Sequence, residues 1–233
     1  MNHGNLQKKF YEETAEFKQW ENLQKGTKLR FERIRFYIEL FSKKLIQNRR
    51  SPVSILDVGC SDGLLLSSFV NAADKICYGI DINEKALKVA KERGIVSKKC
   101  NVEYEDFPFS NCFFDVVVMS QLLEHTLELI VLSEIYRVLK KEGFLILTTP
   151  NVDNLLSWIM MIFMDLPPFQ SSRYKSPHVR DFTLRTLKLA LIINGFVPIK
   201  IEGFTELPIS NNFVNLFVFN KITLNLESFK KNS

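Results

Sequence analysis

The chain is poor in the residues that most often announce a metal site or a secreted fold. Its 233 residues include three histidines and four cysteines. No two of Cys60, Cys77, Cys100 and Cys112 form a CxxC pair, which argues against a closed zinc site or a disulfide framework and for a reducing, cytoplasmic compartment. The longest apolar stretch, Leu155–Met164, is interrupted by Ser157 and falls short of the roughly 20 residues that a membrane-spanning helix needs. The polar leader MNHGNLQKKFYEET lacks the apolar centre of a signal peptide. Internal repeats and low-complexity tracts are missing too, which excludes a solenoid.

What is present is the composition of an ordinary globular chain, 46% hydrophobic and 24% charged. The net charge of +5 is unevenly placed. Residues 1–50 carry 12 Lys and Arg against 6 Asp and Glu, and the rest of the chain is nearly neutral. A uniformly basic body would suggest nucleic acid, and this distribution does not. The excess reads as a solvated helix face, or alternatively as a docking surface for an acidic partner or a clamp on a carboxylate.

Residues 28–46 have the spacing of an amphipathic helix, with Phe31, Ile34, Ile38, Phe41 and Leu45 on one side. From residue 53 onward short apolar runs alternate with helical ones. Strands are predicted at Val53–Val58, Ile76–Ile82, Ile95–Val102, Asp115–Ser120 and Phe144–Thr149. Two more follow at Phe196–Ile201 and around Leu216–Leu226. Helices are predicted over Leu64–Ala73, after an Asn83 cap as far as Gly94, over Leu127–Lys141, and from a Thr183 cap to Gly195. Alternation of this kind implies a mainly parallel sheet covered on both faces, and the last two strands, with no helix between them, read as antiparallel neighbours.

The first chemical signal is Ile55-Leu56-Asp57-Val58-Gly59-Cys60-Ser61-Asp62-Gly63, a strand that ends in an acid and enters a glycine-bearing turn. In parallel sheets ligands bind at such carboxyl ends, and glycine allows close backbone approach. The loop does not suit NAD. The second and third glycine positions of that dinucleotide fingerprint hold Ser61 and Leu64. Asp81, in Tyr78-Gly79-Ile80-Asp81-Ile82-Asn83, ends the second strand, where a carboxylate can accept hydrogen bonds from both ribose hydroxyls or simply favour a helix start. Next come Asn101-Val102-Glu103, Asp106-Phe107-Pro108-Phe109, Ser120-Gln121-Leu122-Leu123-Glu124-His125, Thr149-Pro150-Asn151 and His178-Val179-Arg180-Asp181-Phe182-Thr183.

Taken in order, LDVGCSDG, GIDIN, DFPFSNCFFDVVVMSQLLEH, RVLKKEGFLILTTPN and HVRDFT…NGF resemble the class I S-adenosylmethionine-dependent methyltransferases, in particular the small-molecule branch that includes ubiquinone-biosynthesis, sugar and polysaccharide-associated enzymes. The resemblance spans roughly residues 53–204. It implies an α/β, Rossmann-like, mainly parallel seven-stranded sheet with helices on both faces and an antiparallel last strand. Residues 1–52 would be an N-terminal helical segment and 53–233 the cofactor-binding domain.

The same resemblance implies the site. Asp57, Gly59, Cys60, Ser61 and Gly63 would surround the methionine portion of the cofactor. Asp81 would take the ribose, with Ile82 against the adenine. Asn101 and Val102 would meet the adenine edge, unless Glu103 takes the acidic role. Ser120 and Gln121 would line the floor near the sulfonium. Relatives often place an arginine ahead of the first motif on the cofactor carboxylate. Arg30 and Arg33 are the candidates, although a solvated face is the reading favoured by the residues. Ser61 replaces the usual glycine of the first motif.

For catalysis the candidates are His125, after the fourth strand, and His178, in the last motif. Each competes with a structural reading, a helix-start residue and a loop contact respectively. Residues 151–180, with Trp158, Met160, Met161, Phe163 and Met164, read as a cover over an apolar acceptor, as a core or dimer helix, or as a shallow contact with a membrane surface. The expected activity is methyl transfer to a small-molecule or glycan/lipid-type acceptor. The alternatives are a non-catalytic cofactor-binding regulatory protein and a nucleic-acid or protein methyltransferase. Met119-Ser120-Gln121-Leu122 stands where base-amine enzymes carry Asn/Asp-Pro-Pro-aromatic, and this argues against nucleic acid.

Overall fold

The computed structural model describes residues 19–48, 52–150, 180–204 and 214–221. A short turn of helix at Trp20–Asn22 leads into α1 (Lys25–Asn48). The elements that follow are β1 (Val53–Val58), β2 (Lys75–Asp81), α2 (Glu84–Glu92), β3 (Val96–Lys99), β4 (Phe114–Ser120), α3 (Glu128–Val138), β5 (Leu139–Pro150), α4 (Leu184–Ile193), β6 (Phe196–Phe204) and β7 (Val214–Lys221). The strands lie in the order β3-β2-β1-β4-β5-β7-β6. The first five are mutually parallel, and β7 runs antiparallel to both β5 and β6. The expected α/β architecture with a mainly parallel sheet is the one observed.

The apolar runs of β1 and β4 are buried on both faces because helices cover both. On one face α1 lays Ile34, Ile38, Phe41 and Leu45 against Val53, Ile55, Val116, Val118 and Ile146. Phe41 stacks on Phe144 with ring centroids 4.0 Å apart. On the other face α3 and α4 bury Val131, Leu132, Ile135, Leu187 and Leu191 against Leu56, Val58, Val117, Met119, Leu145 and Leu147. Each such buried side chain contributes on the order of 1.5–3 kcal/mol through removal from water.

The caps read from sequence are formed. Asn83 accepts from the N–H groups of Lys85 and Ala86, and Thr183 exchanges hydrogen bonds with Thr186 in a capping box. Three elements differ from expectation; the third strand, expected over Ile95–Val102, covers only Val96–Lys99, and the chain turns after it. Over 64–73 there is no α-helix among the described residues, only a 3-10 turn at Ser67–Phe69. The Ser67 hydroxyl donates to the Leu64 carbonyl, and Arg35 of α1 donates to the carbonyls of Leu64 and Leu65, so side chains serve part of the backbone there. The helix expected as far as Lys141 stops at Val138. Leu139 is fully buried and pairs with Phe114 as the start of β5, with a register shift before Phe144 meets Val116. An apolar residue in helical step was drawn into the sheet instead.

Candidate functional site

The strand order reverses between β1 and β4, since β2 and β3 lie on one side of β1 while β4 and β5 lie on the other. Side chains at the carboxyl ends of these strands therefore border a crevice. Gly59 and Cys60 leave β1 with both N–H groups donating to the Ile80 carbonyl, at 2.8 and 3.0 Å. The turn then passes through left-handed backbone at Gly59 (φ +77°), Ser61 (φ +47°) and Gly63 (φ +75°). At Gly59 an added Cβ would also stand 2.7 Å from Leu122 Cδ2, so the Leu122 side chain would have to shift.

Asp81 holds this turn from the neighbouring strand. Its Oδ2 accepts the Ser61 N–H at 2.8 Å, and its Oδ1 accepts the Asn83 N–H at 2.8 Å. The carboxyl is pushed above its usual range by burial, with the hydrogen bonds from Asn83, Ser61 and Ile82 opposing that shift.

Beside the turn lies a cavity of about 230 Å³, lined by Leu23, Arg30, Phe31, Asp57, Gly59, Cys60, Ser61, Asp62, Leu64, Leu65 and Ser120. Asp57 is 3% exposed. Burial pushes its carboxyl well above the ordinary range, and the charges of Asp81 and Asp62 add to the shift. Opposite in sign stands Arg30, whose guanidinium is pushed down by burial, with Glu124 opposing the shift. Arg30 Nε is buried and has no hydrogen-bond partner among the described residues. A cavity with crowded carboxylates and one under-satisfied guanidinium suits a ligand group bearing both a cation and a carboxylate, such as the end of a free α-amino acid.

The structure thus brings Asp57, Gly59, Cys60, Ser61 and Ser120 together around one cavity and binds Asp81 to its loop. Gly63 closes the turn through its N–H to the Cys60 carbonyl at 2.9 Å. Ile82 is half-buried next to Asp81, Asn101 is half-buried after β3, and the Asp81 carbonyl accepts from the Cys100 N–H at 3.1 Å, joining the two strand ends. Val102 is buried in the core. Of the two candidates for the adenine edge, Glu103 is buried and accepts the Leu127 N–H at 3.1 Å, ahead of α3. The Asn101 Oδ1 accepts the Glu103 N–H at 3.3 Å. The Ser120 hydroxyl bonds to the Thr148 hydroxyl at 3.0 Å, and the Gln121 Nε2 donates to that Thr148 hydroxyl at 3.5 Å. His125 is buried in a 3-10 turn at Leu123–His125 and is not among the cavity-lining residues, while His178 and residues 151–179 lie outside the described residues.

The residue that sequence reasoning undervalued is Arg30. Its place in a basic stretch suggests a solvated face, yet it lines the cavity. The signal was its step of four before Ile34, which places it on the buried side of α1, one turn beyond the sheet-covering residues. Arg33, the other candidate, is paired instead with Glu202 on β6.

Residues 56–147 match the family model described as a methyltransferase domain. The mitochondrial ubiquinone biosynthesis O-methyltransferase of Saccharomyces cerevisiae is 34% identical over 124 residues, covering 50% of this chain and 39% of the yeast protein. The ubiquinone biosynthesis O-methyltransferase of Neisseria meningitidis is 24% identical over 150 residues, covering 61% of this chain and 58% of that protein. The chain thus spans less than two thirds of the length of these relatives. Among solved structures, an S-adenosylmethionine-dependent methyltransferase from Archaeoglobus fulgidus aligns with a TM-score of 0.62 at 21% identity, covering 83% of this chain and 93% of that one. The magnesium protoporphyrin IX methyltransferase of Synechocystis, with bound S-adenosylhomocysteine, aligns with a TM-score of 0.60 at 14% identity, covering 92% of each chain. These structural likenesses are likenesses of fold.

Proposed function

We propose that this chain, which carries a class I S-adenosylmethionine-dependent methyltransferase domain, transfers the methyl group of that cofactor to a small-molecule acceptor. The observation that carries the reading is the Arg30–Asp57 cavity at the carboxyl end of β1, next to a loop held by Asp81. Its mixed charge fits the amino-acid end of the cofactor, and in this reading Asp81 takes the ribose. In this reading the amino group sits near Asp57 and the cofactor carboxylate satisfies Arg30. Ser61, Gly63, Ile82, Asn101, Val102, Ser120 and Gln121 complete the pocket, with Asn101 rather than Glu103 on the adenine side.

The bound cofactor supplies an already activated methyl group. The chain's residues have only to orient it, admit the acceptor and exclude water. His125 and His178 are the proposed proton acceptors for a hydroxyl nucleophile. The division into a helical segment 1–52 and a domain 53–233, with 151–180 covering an acceptor of glycan or lipid type, belongs to the same proposal, as does a cytoplasmic location. No helix among the described residues is long and apolar enough to cross a membrane. The names of the yeast and neisserial relatives favour an oxygen acceptor on a small molecule.

The test is a screen of small-molecule extract with cofactor labelled in its methyl group. Label in a discrete small product, with one S-adenosylhomocysteine formed per methyl transferred, supports the reading. Tight cofactor binding without turnover on any fraction would favour a regulatory protein.

A further inference from the structure

We propose that Arg35 is a positioning residue for cofactor binding, acting through the backbone of the loop after β1. The inference rests on the functional reading above, because it names what holds that site in shape. Arg35 is half-buried on α1. Its Nε donates to the Leu65 carbonyl at 2.8 Å and its Nη2 to the Leu64 carbonyl at 2.7 Å. The Trp20 ring covers the guanidinium, 4.4 Å from its centroid. Arg35 does not line the cavity, whereas Leu64 and Leu65 do.

The physical need for such a residue is visible in the local fold. A βα turn ordinarily hands its first carbonyls to the N–H groups of the next helical turn. Here residues 64–73 form only a 3-10 turn at Ser67–Phe69; the Ser67 N–H still meets the Gly63 carbonyl at 3.1 Å, but the Leu64 carbonyl is met by the Ser67 hydroxyl rather than by a continuing helical ladder. A guanidinium from another element takes over part of the task, presenting two donors to two consecutive carbonyls. It thereby ties α1, which contributes Arg30 and Phe31 to the cavity lining, to the loop that contributes Gly59, Ser61 and Leu64 to the same lining. Arg35 thus links two parts of the site without itself lining the cavity.

A fork geometry is required. An ammonium on a flexible stem supplies point charge but not two coplanar donors in fixed relation, so lysine is a poor substitute. The Trp20 ring adds a cation–π contact.

The experiment is titration of the full chain with S-adenosylhomocysteine by calorimetry, paired with amide exchange of the ligand-free protein. Arg35→Ala is expected to raise Kd about tenfold. It should speed exchange at residues 61–66 and leave β2 and α2 unchanged. Arg35→Lys should recover little of the affinity, and millimolar guanidinium ion should restore part of it to Arg35→Ala alone. Affinity within about twofold of the unmodified chain, with unchanged exchange at 61–66, would overturn the proposal. So would a uniform loss of protection throughout α1 and the sheet without guanidinium rescue, which would mark Arg35 as generally structural. If Arg35→Ala does not fold, Trp20→Leu, which uncovers the guanidinium, should give the same pattern in weaker form, and its absence counts against the proposal. If the unmodified chain fails to bind S-adenosylhomocysteine, the functional reading falls. Binding by the unmodified chain with undiminished affinity in Arg35→Ala removes only the role of Arg35.

Discussion

The Asp81 carboxylate accepts the backbone N–H of Ser61 at 2.8 Å, which joins the end of β2 to the crown of the turn after β1. This contact helps to shape the loop beside the cavity. Asp81→Ala should therefore weaken S-adenosylmethionine binding by roughly 1.5–3 kcal/mol, the range for hydrogen bonds to a charged group, in a protein that still folds. Calorimetry with matched circular dichroism checks this. Undiminished affinity in a folded variant would remove Asp81 from the site.

Ser61 occupies left-handed backbone at φ +47°, a conformation that costs a side-chain-bearing residue about 1–2 kcal/mol, part of which glycine gives back through its greater entropy loss. Ser61→Gly should raise the stability of the ligand-free protein by up to about 1 kcal/mol and leave cofactor affinity intact. Ser61→Val should lower both. Denaturant midpoints report the outcome, and a less stable glycine variant would show that the Ser61 side chain has a role beyond filling the turn.

Asp57 is a carboxyl held above its ordinary range by burial and by its neighbours Asp81 and Asp62. Between the unfolded pKa of about 4 and the raised folded value, the native state binds more protons than the unfolded one. Stability of the ligand-free protein should therefore fall as pH rises through that window. Asp57→Asn should flatten the fall, raise the melting temperature near neutral pH, and weaken cofactor binding. A pH–stability curve for the variant identical to that of the unmodified chain would contradict this assignment.

Arg30 offers the sharpest dissection of the cavity. Arg30→Met keeps much of the stem and removes the charge. Affinity for S-adenosylhomocysteine should drop by about 1.5–3 kcal/mol, whereas 5′-methylthioadenosine, which lacks the amino-acid end, should bind the two proteins alike. Equal losses for both ligands would place Arg30 in a structural role.

Much of this was legible before the fold. The strand ends at Asp57 and Asp81, the caps at Asn83 and Thr183, and the buried face of α1 follow from residue type and period, which are local properties. The turn at 64–73 was not legible, because its carbonyls are served by Arg35 from 29 residues upstream, and no local pattern records that. Arg30 was hidden for a related reason. Its period marked a buried face, but only the end of the sheet decides whether a charge on that face meets core or cavity. The start of β5 at Leu139 was obscured because one apolar residue fits either a helical or an extended period.

The central claim is that the Arg30–Asp57 cavity and the Asp81-bound loop hold S-adenosylmethionine. It is tested most directly by calorimetric titration of the full chain with S-adenosylhomocysteine, with NAD as control. The account predicts saturable binding at one site per chain, lost or strongly weakened in Asp81→Ala and Arg30→Met, and no heat from NAD. Binding of NAD with none of S-adenosylhomocysteine, or binding of S-adenosylhomocysteine that neither substitution disturbs, would contradict it.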